Sequence, residues 1–187
     1  FGNNQHPFFL HEKPIKSDLI YKESRYENLY ISFDIYNQKL VLFQEIDPTL
    51  PRYICLNPYY IKRWSFKRNG VEYLFSNLHS YHKKLPEKPI LFRMHHDGKL
   101  KLISSVIKEQ ENDSYGVNSE FEIKEKYYLV KEEGIFPVRN RRTLLKALDD
   151  ERDAMKEYIR ANNLRLRLSR IDNIITLIEY YEEQKTP

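Results

Sequence analysis

Three pairs of alternating apolar runs, each pair separated by a turn, constrain the fold of this chain more than any other feature. They occupy residues 26–43, 64–75 and 90–103 and are rich in tyrosine and phenylalanine. A period of two places successive side chains on opposite faces of a strand, which is typical of half-buried antiparallel strands. The chain is therefore predicted to form an antiparallel sheet whose neighbouring strands are joined by short turns.

The turn residues predict the register of the strands. Asn69-Gly70 favours a two-residue type I′ turn, because both residue types accept a positive φ, and this turn pairs Phe66 with Tyr73. A two-residue turn at Asn37-Gln38 and a three-residue loop at His96-Asp97-Gly98, with Gly98 left-handed, would keep the apolar faces intact elsewhere. The further predicted pairs are Trp64 with Phe75, Ile35 with Leu40, Phe33 with Leu42, Met94 with Leu100 and Phe92 with Leu102.

Composition shifts after Pro137 from alternating runs to helical spacing. Asn140 is predicted to cap a helix from Arg141 to about Ala161, which the pair Asn162-Asn163 ends. Ser169 with Asp172 resembles a capping signal for a second helix. The apolar faces of the two helices are Leu144, Leu148, Met155 and Ile159, and then Ile171, Ile174, Ile175 and Ile178.

These patterns predict an α+β fold, in which a twisted antiparallel β-meander of about six to eight strands precedes two C-terminal helices. We expect an extended N-terminal arm over 1–17, an antiparallel β domain over 18–137, and a helical segment over 138–187 packed on the same domain. The predicted core residues are Ile31, Phe33, Leu42, Trp64, Phe66, Tyr73, Phe75, Phe92, Leu102, Leu144, Leu148, Ile174 and Ile178.

Composition excludes several classes of protein. The 187 residues carry 31 basic and 27 acidic side chains, and a net charge of +4 does not by itself indicate nucleic-acid or membrane binding. Cys55 is the only cysteine, so an internal disulfide and a redox pair are excluded. Its neighbours Tyr53, Ile54 and Leu56 predict a small buried residue. No apolar run reaches the length of about 18 residues that a membrane span needs.

No catalytic signature accompanies the sheet pattern. The chain contains no GxSxG, P-loop, GxGxxG or HExxH motif, so we predict a protein that is not an enzyme and has no cofactor, catalytic residue or metal site. Two histidine pairs could contribute metal ligands, but solvated turn histidines are favoured. Three acidic residues near the first turn could serve hydrolysis, but surface acids are favoured. These residues are His79 and His82, His95 and His96, and Glu45, Asp34 and Asp47.

Two groups of residues are candidates for protein contacts. Phe8, Phe9 and Leu10 form an apolar cluster in the arm, which either packs on the domain or inserts into a partner. A second group of cations, Arg139, Arg141 and Arg142, lies at a helix N-terminus and opposes the helix dipole, which indicates an anionic or acidic partner. Together with the tyrosines and Arg165, Arg167 and Arg170, this group could alternatively form a platform for single-stranded nucleic acid.

Two stretches resemble uncharacterised exported proteins of Bacteroidetes-type bacteria. They are YENLYISFDIY at 26–36 leading into KLVL at 39–42, and RTLLK at 142–146 through KEYIRANNL at 156–164 to Tyr180-Tyr181. The resemblance implies a Tyr-rich β-meander with a C-terminal helical segment and a location in the periplasm or on the periplasmic side of the outer membrane. The chain opens at Phe1 rather than methionine, which fits a removed signal peptide or a trimmed sequence.

The expected function is that of a non-enzymatic accessory or binding subunit of a bacterial cell-envelope protein complex, with an envelope protein as partner. Sheet edges, an aromatic surface and an apolar arm offer area for such contacts. The alternative is a periplasmic small-molecule or peptide binder with a pocket lined by tyrosines. A single-stranded nucleic-acid binder and a cytoplasmic location are further alternatives, and no nucleic acid and no membrane span are expected.

Overall fold

The computed structural model describes residues 6–10, 13–44, 50, 52–78, 91–112 and 119–185. Their strands form one antiparallel sheet, which three helices follow. The strands are β1 Ile15–Tyr21, β2 Ser24–Asp34, β3 Lys39–Gln44, β4 Arg52–Leu56, β5 Ile61–Arg68, β6 Val71–Asn77, β7 Leu91–Asp97, β8 Lys101–Asn112, β9 Ser119–Lys131 and β10 Gly134–Val138. The helices are α1 Arg141–Ala147, α2 Arg152–Ala161 and α3 Ile171–Gln184.

The predicted α+β class is confirmed, but the ten described strands exceed the six to eight expected. The strand order, β10-β9-β8-β7-β6-β5-β1-β2-β3-β4, is also not a simple meander. After β4 the chain returns across β3, β2 and β1, so that β5 pairs with the free edge of β1. A turn signal between neighbouring strands predicts a hairpin, but this return depends on contacts between residues distant in sequence.

Two compact units divide the chain, and each has its own apolar core. Unit 1 comprises Phe1–Arg93 and Ser105–Glu125, and unit 2 comprises Met94–Ser104 and Lys126–Pro187. This division differs from the composition-based one, because it cuts through strands rather than at the boundary between 137 and 138.

Aromatic rings form the centre of the core of unit 1. The ring of Phe33 lies edge-on to Trp64 and Phe75, with centroids 5.7 and 5.4 Å away, and all three side chains are buried. Edge-to-face pairs of this kind add about 0.5–1.5 kcal/mol beyond the area they bury. Of the predicted core residues, only Leu42 and Tyr73 are merely half-buried, and both pack against this core.

The Asn69-Gly70 turn forms as predicted. Both residues have positive φ, at 50° and 76°, and Lys67 lies opposite Glu72 as the turn requires. The predicted partners Phe66 and Tyr73 stack with their centroids 4.9 Å apart. Local turn chemistry therefore sets this register correctly.

The first hairpin differs from its prediction by two residues. Phe33 pairs with Leu40, not Leu42, and the loop comprises residues 35–38. The Asp34 carboxylate accepts hydrogen bonds from the backbone N–H groups of Tyr36 and Asn37, at 3.1 and 2.8 Å. An aspartate that bonds to the backbone in this way stabilises a longer turn than the predicted pair of residues. Because the shift is even, the apolar face stays the same.

The loop of the third hairpin also differs in position from its prediction. β7 continues through Asp97, so residues 98–100 form the connection and the predicted loop at 96–98 is wrong. Gly98 does not adopt the left-handed conformation predicted for it. A β-carbon at this glycine would lie 2.5 Å from both the His96 ring and the Glu182 carboxylate. The side-chain ends of His96 and Glu182 would therefore have to move if Gly98 carried a β-carbon.

The C-terminal helices form a second core, but the predicted long helix is interrupted. Asn140 caps α1 in a reciprocal capping box with Thr143, as its position indicated. A 3-10 turn at Asp149–Glu151 then separates α1 from α2. The predicted capping signal at Ser169 is wrong, because α3 begins after Arg170 without a side-chain cap. The four predicted apolar residues of the interrupted stretch, Leu144, Leu148, Met155 and Ile159, are all buried.

His95 and His96 are not the solvated turn residues that the sequence predicts. The Glu182 carboxylate on α3 accepts a hydrogen bond from Leu100 N at 2.6 Å and lies 3.1 Å from His96 Nε2. His95 Nε2 lies 2.8 Å from the Ser104 hydroxyl. These contacts fix the end of the β7–β8 connection to the last helix within unit 2.

A network of charges joins β9 to the helices of unit 2. Tyr181 donates a hydrogen bond to Asp150 at 2.7 Å, and Lys131 and Lys185 lie 3.7 and 3.1 Å from the same carboxylate. Partial burial alone would raise the pKa of Asp150, but the hydrogen bonds from Tyr181 and Lys185 outweigh it and hold this pKa below its ordinary value.

We expect Gly70→Ala to lower the free energy of unfolding by about 1–2 kcal/mol, since an L side chain is disfavoured at φ 76°. No atom lies within 4 Å of the added β-carbon, so the cost is conformational rather than steric. The matched control is Gly134→Ala, whose β-carbon would make ordinary contacts with the Phe136 ring at 3.7 Å. Urea titration compares the two, and equal losses would contradict a left-handed requirement at Gly70.

We expect low pH to lower the stability of unit 2, because it protonates the Asp150 carboxylate. Because the folded pKa of this carboxyl is lowered, the folded state binds its proton less readily than the unfolded chain. Its stabilising contribution is thus present above the ordinary aspartate pKa and is lost as the pH falls through the folded pKa. Asp150→Asn should flatten the acid limb of a plot of melting temperature against pH. Glu157→Gln on the exposed face of α2 is the control, and an unchanged acid limb in Asp150→Asn would refute this assignment.

Candidate interaction surface at the β4 edge

Strand β4 ends the sheet and offers an open edge. It pairs with β3 on one side, and no described strand lies on its other side. An open edge presents backbone N–H and C=O groups in the arrangement that another strand needs for pairing. The side chains of Tyr53 and Ile54 point to opposite faces, and they are 65% and 41% exposed. Both faces of this edge are therefore accessible.

Cys55 is exposed on β4, which corrects the predicted burial. Its apolar neighbours indicated a core strand, and periodicity alone does not distinguish a central strand from an edge strand. Because β4 is an edge strand that is covered on neither face, the side chains of Tyr53, Ile54 and Cys55 are all exposed despite their apolar character.

A row of aromatic side chains crosses the sheet to β4. Tyr30, Phe43 and Tyr53 occupy directly opposed positions on β2, β3 and β4. The rings of Phe43 and Tyr53 are 5.4 Å apart, and Tyr30 is 50% exposed. The neighbouring residue Ile31 points to the other face and is fully buried. Alternation thus separates a buried face from an exposed aromatic face on the same strands.

A groove of about 330 Å³ lies on this aromatic face. Its lining brings together the arm, β2, β3 and β4, so no continuous stretch of sequence contains it. The hydroxyls of Ser32 and Tyr53 can form hydrogen bonds within apolar surroundings, the combination that suits recognition of a partly apolar group. The lining residues are Phe8, Pro14, Ser32, Val41 and Tyr53.

The predicted contact residues of the arm divide between core and surface. Phe9 is buried and lies edge-on to Phe75, with ring centroids 5.2 Å apart, while its N–H donates to the carbonyl of Phe33 at 2.7 Å. Phe8 is half-buried, forms a bridge with Asp34 and lines the groove. Leu10 is half-buried. The arm is therefore packed on unit 1, the first of its two predicted alternatives, while a role in partner contact stays a prediction.

A buried lysine helps to hold the arm. Lys108 is almost fully buried, and its ammonium donates a hydrogen bond to the His6 carbonyl at 2.6 Å. Burial lowers the pKa of Lys108, because it disfavours the charged form. Its backbone N–H also bonds to Ile35 O, and Ile35 N bonds to Pro7 O. The arm, the β2 end and β8 therefore share one set of polar contacts.

The three predicted arginines lie in unit 2, whereas Phe8, Phe9 and Leu10 lie in unit 1. Arg139, Arg141 and Arg142 are exposed at the start of α1. The backbone N–H of Arg139 donates a hydrogen bond to the Thr143 hydroxyl at 2.9 Å. This bond ties the residue before the Asn140 cap to the first turn of α1. The role of the three arginines in binding an acidic partner stays a prediction.

One polar pair of the described residues, His95 and Ser104, has the spacing of a catalytic pair, but its serine is buried. His95 and Ser104 have the 2.8 Å spacing of a base and a nucleophile, but Ser104 is fully buried, and the His95 ring lies against Tyr127 with centroids 5.4 Å apart. Asp34 is engaged in the turn after β2. Within the described ranges, no three histidine, cysteine or acidic side chains form a cluster that could hold a metal. The candidates Glu45, Asp47, His79 and His82 lie outside the described residues.

No described helix is long and apolar enough to cross a membrane. Comparison with protein-family models, with curated proteins and with solved structures finds no match for this chain.

Proposed function

We propose that this protein is a non-enzymatic accessory subunit of a bacterial cell-envelope complex, and that the β4 edge binds an extended segment of its partner. The open edge of β4, exposed on both faces and flanked by the aromatic groove, is the observation that supports this proposal most directly. The envelope location, on the periplasmic side of the outer membrane, is supported by the resemblance to exported proteins of residues 26–36 leading into 39–42, and of 142–146 through 156–164 to Tyr180-Tyr181.

Strand addition explains how such an edge would recognise a partner. Backbone hydrogen bonds to β4 supply affinity, and alternate side chains of the added strand supply specificity by entering neighbouring pockets. The groove beside Tyr53 lies where one such side chain would arrive. Tyrosine is a common residue at the centres of interfaces, because its ring buries area while its hydroxyl keeps a hydrogen bond.

A periplasmic binder of small molecules or peptides is the second candidate. The groove has about 330 Å³, near the lower end of the roughly 300–1,000 Å³ range of ligand pockets. One tyrosine lines it, rather than the several that the sequence suggested. A free ligand that raises the melting temperature, without a protein partner, would favour this second function.

Tyr53→Ala should weaken capture of the partner about tenfold or more, because truncation of a central aromatic contact removes most of its binding energy. Affinity-tagged protein, incubated with solubilised cell envelopes and analysed by mass spectrometry, measures the capture. Tyr59→Ala is the matched control, since Tyr59 is 73% exposed but lies on the 3-10 turn of residues 58–60, outside the groove. Melting temperatures of the two variants show whether the fold is intact.

Equal capture of the partner by Tyr53→Ala and Tyr59→Ala would contradict binding of the partner at the β4 edge. Wild-type protein that captures no envelope protein above background would overturn the accessory role itself. Loss of capture in both variants at unchanged stability would move the contact surface from β4 toward residues 58–60.

A further inference from the structure

A second pocket, separate from the β4 groove, lies where two β-bulges flank the same segment of β1. Between Ser17 and Leu19 the register with β2 shifts, and between Ile20 and Tyr21 the register with β5 shifts. Asn28 lies in the first bulge with φ 59°, and its N–H donates to the Asp18 carboxylate at 3.1 Å. Bulges bend a strand and redirect its side chains, and they are frequent beside binding sites.

The pocket between the bulges has a volume of about 250 Å³ and a mixed charged lining. Arg25 and Arg63 lie directly opposite Ile20 on the two neighbouring strands, so two guanidinium groups flank one apolar side chain. The Asp18 and Ser65 pair lies at the next position along the same face. The lining residues are Asp18, Leu19, Ile20, Arg25, Arg63, Ser65 and Glu72.

The charges in this lining are ordered rather than alternating. The arginine pair occupies one end of the pocket, at the position of Ile20, and one nitrogen of the Arg25 guanidinium already forms an ion pair with Glu27 at 2.9 Å. Glu72 occupies the other end, because it lies on the strand next to β5 and opposite Lys67, four residues beyond Arg63. At about 3.4 Å per residue, this separation is roughly 14 Å along the backbone. Asp18 lies between the two ends, with one carboxylate oxygen already bonded to Asn28.

From this arrangement we propose that the pocket binds a small zwitterion of the peptide type. The carboxylate of the ligand lies between Arg25 and Arg63, where planar guanidinium groups match its two oxygens. Its ammonium group points toward Asp18 and Glu72, and the Ser65 hydroxyl bonds to the peptide group between them. A simple anion is disfavoured, because the two carboxylates of the lining would repel it. A simple cation is disfavoured by the arginines.

Calorimetric titration of the whole chain with three probes tests this site. Triglycine carries both charges, N-acetyl-triglycine lacks the ammonium group, and triglycine amide lacks the carboxylate. Triglycine should bind saturably, and each blocked probe should bind about tenfold more weakly, because each lacks one charge-assisted hydrogen bond.

Two variants assign the ends of the ligand. Arg63→Gln should weaken binding of triglycine about tenfold but leave the amide probe unchanged, because the amide has no carboxylate to lose. Glu72→Gln should weaken binding of triglycine but leave the N-acetyl probe unchanged. Arg160→Gln and Glu157→Gln, both on the exposed face of α2, are the matched controls and should bind triglycine like the wild type.

The proposal is overturned if triglycine shows no saturable binding, or if all three probes bind equally. It is also overturned if N-acetyl-triglycine binds as tightly as triglycine, which would make the pocket an anion site. None of these outcomes concerns capture of an envelope partner, so this site and the β4 edge are tested separately.

Discussion

The pairing of β1 on both of its edges is the constraint on which unit 1 depends. β2, the next strand along the chain, occupies one edge of β1. The other edge is occupied by β5, which follows β3 and β4 in the sequence. Once β5 is in place, Trp64 lies opposite Leu19, and Trp64 can contact Phe33 and Phe75 in one aromatic core. The hydrogen bond from Lys22 N to Tyr60 O, at 2.7 Å, fixes the point at which the returning chain meets β1. Without this return, Phe33 on β2 and Phe75 on β6 would lose their contacts with the Trp64 ring.

Sequence reasoning succeeded where the deciding interactions are local. Asn69-Gly70 carries its own backbone preference, so the register of β5 and β6 follows from residues adjacent in the chain. It failed at Asn37-Gln38, because the Asp34 carboxylate reorganises the turn and the Gln38 amide is held by the carbonyls of Ile35 and distant Val106. Similarly, the position of Leu148 on the apolar face was predictable, but the break after it was not.

The candidate site was less predictable than the fold for a related reason. The exposure of Tyr53 and Cys55 depends on β4 being the last strand of the sheet, and strand order is a property of the whole topology. The groove likewise joins Phe8 and Pro14 to residues of three strands. The apolar composition of the arm drew attention to Phe8 and Phe9 but did not separate the buried ring of Phe9 from that of Phe8, which lines the groove. A period of two along the arm was the available signal, since adjacent residues of an extended chain point to opposite sides.

The structure favours one way in which the arm could take part in binding. Insertion of Phe9 into a partner would remove a buried ring from Phe75, which typically costs about 3–5 kcal/mol for a core phenylalanine. It would also break the backbone hydrogen bonds that the arm forms with Phe33 and Ile35, and the contact between Lys108 and the His6 carbonyl. A partner would have to replace all of these interactions before it gained any affinity. Phe8 requires no such exchange, because it already lines the groove while the arm remains docked. An arm that contributes Phe8 to a preformed surface is therefore energetically preferable to an arm that leaves its own domain.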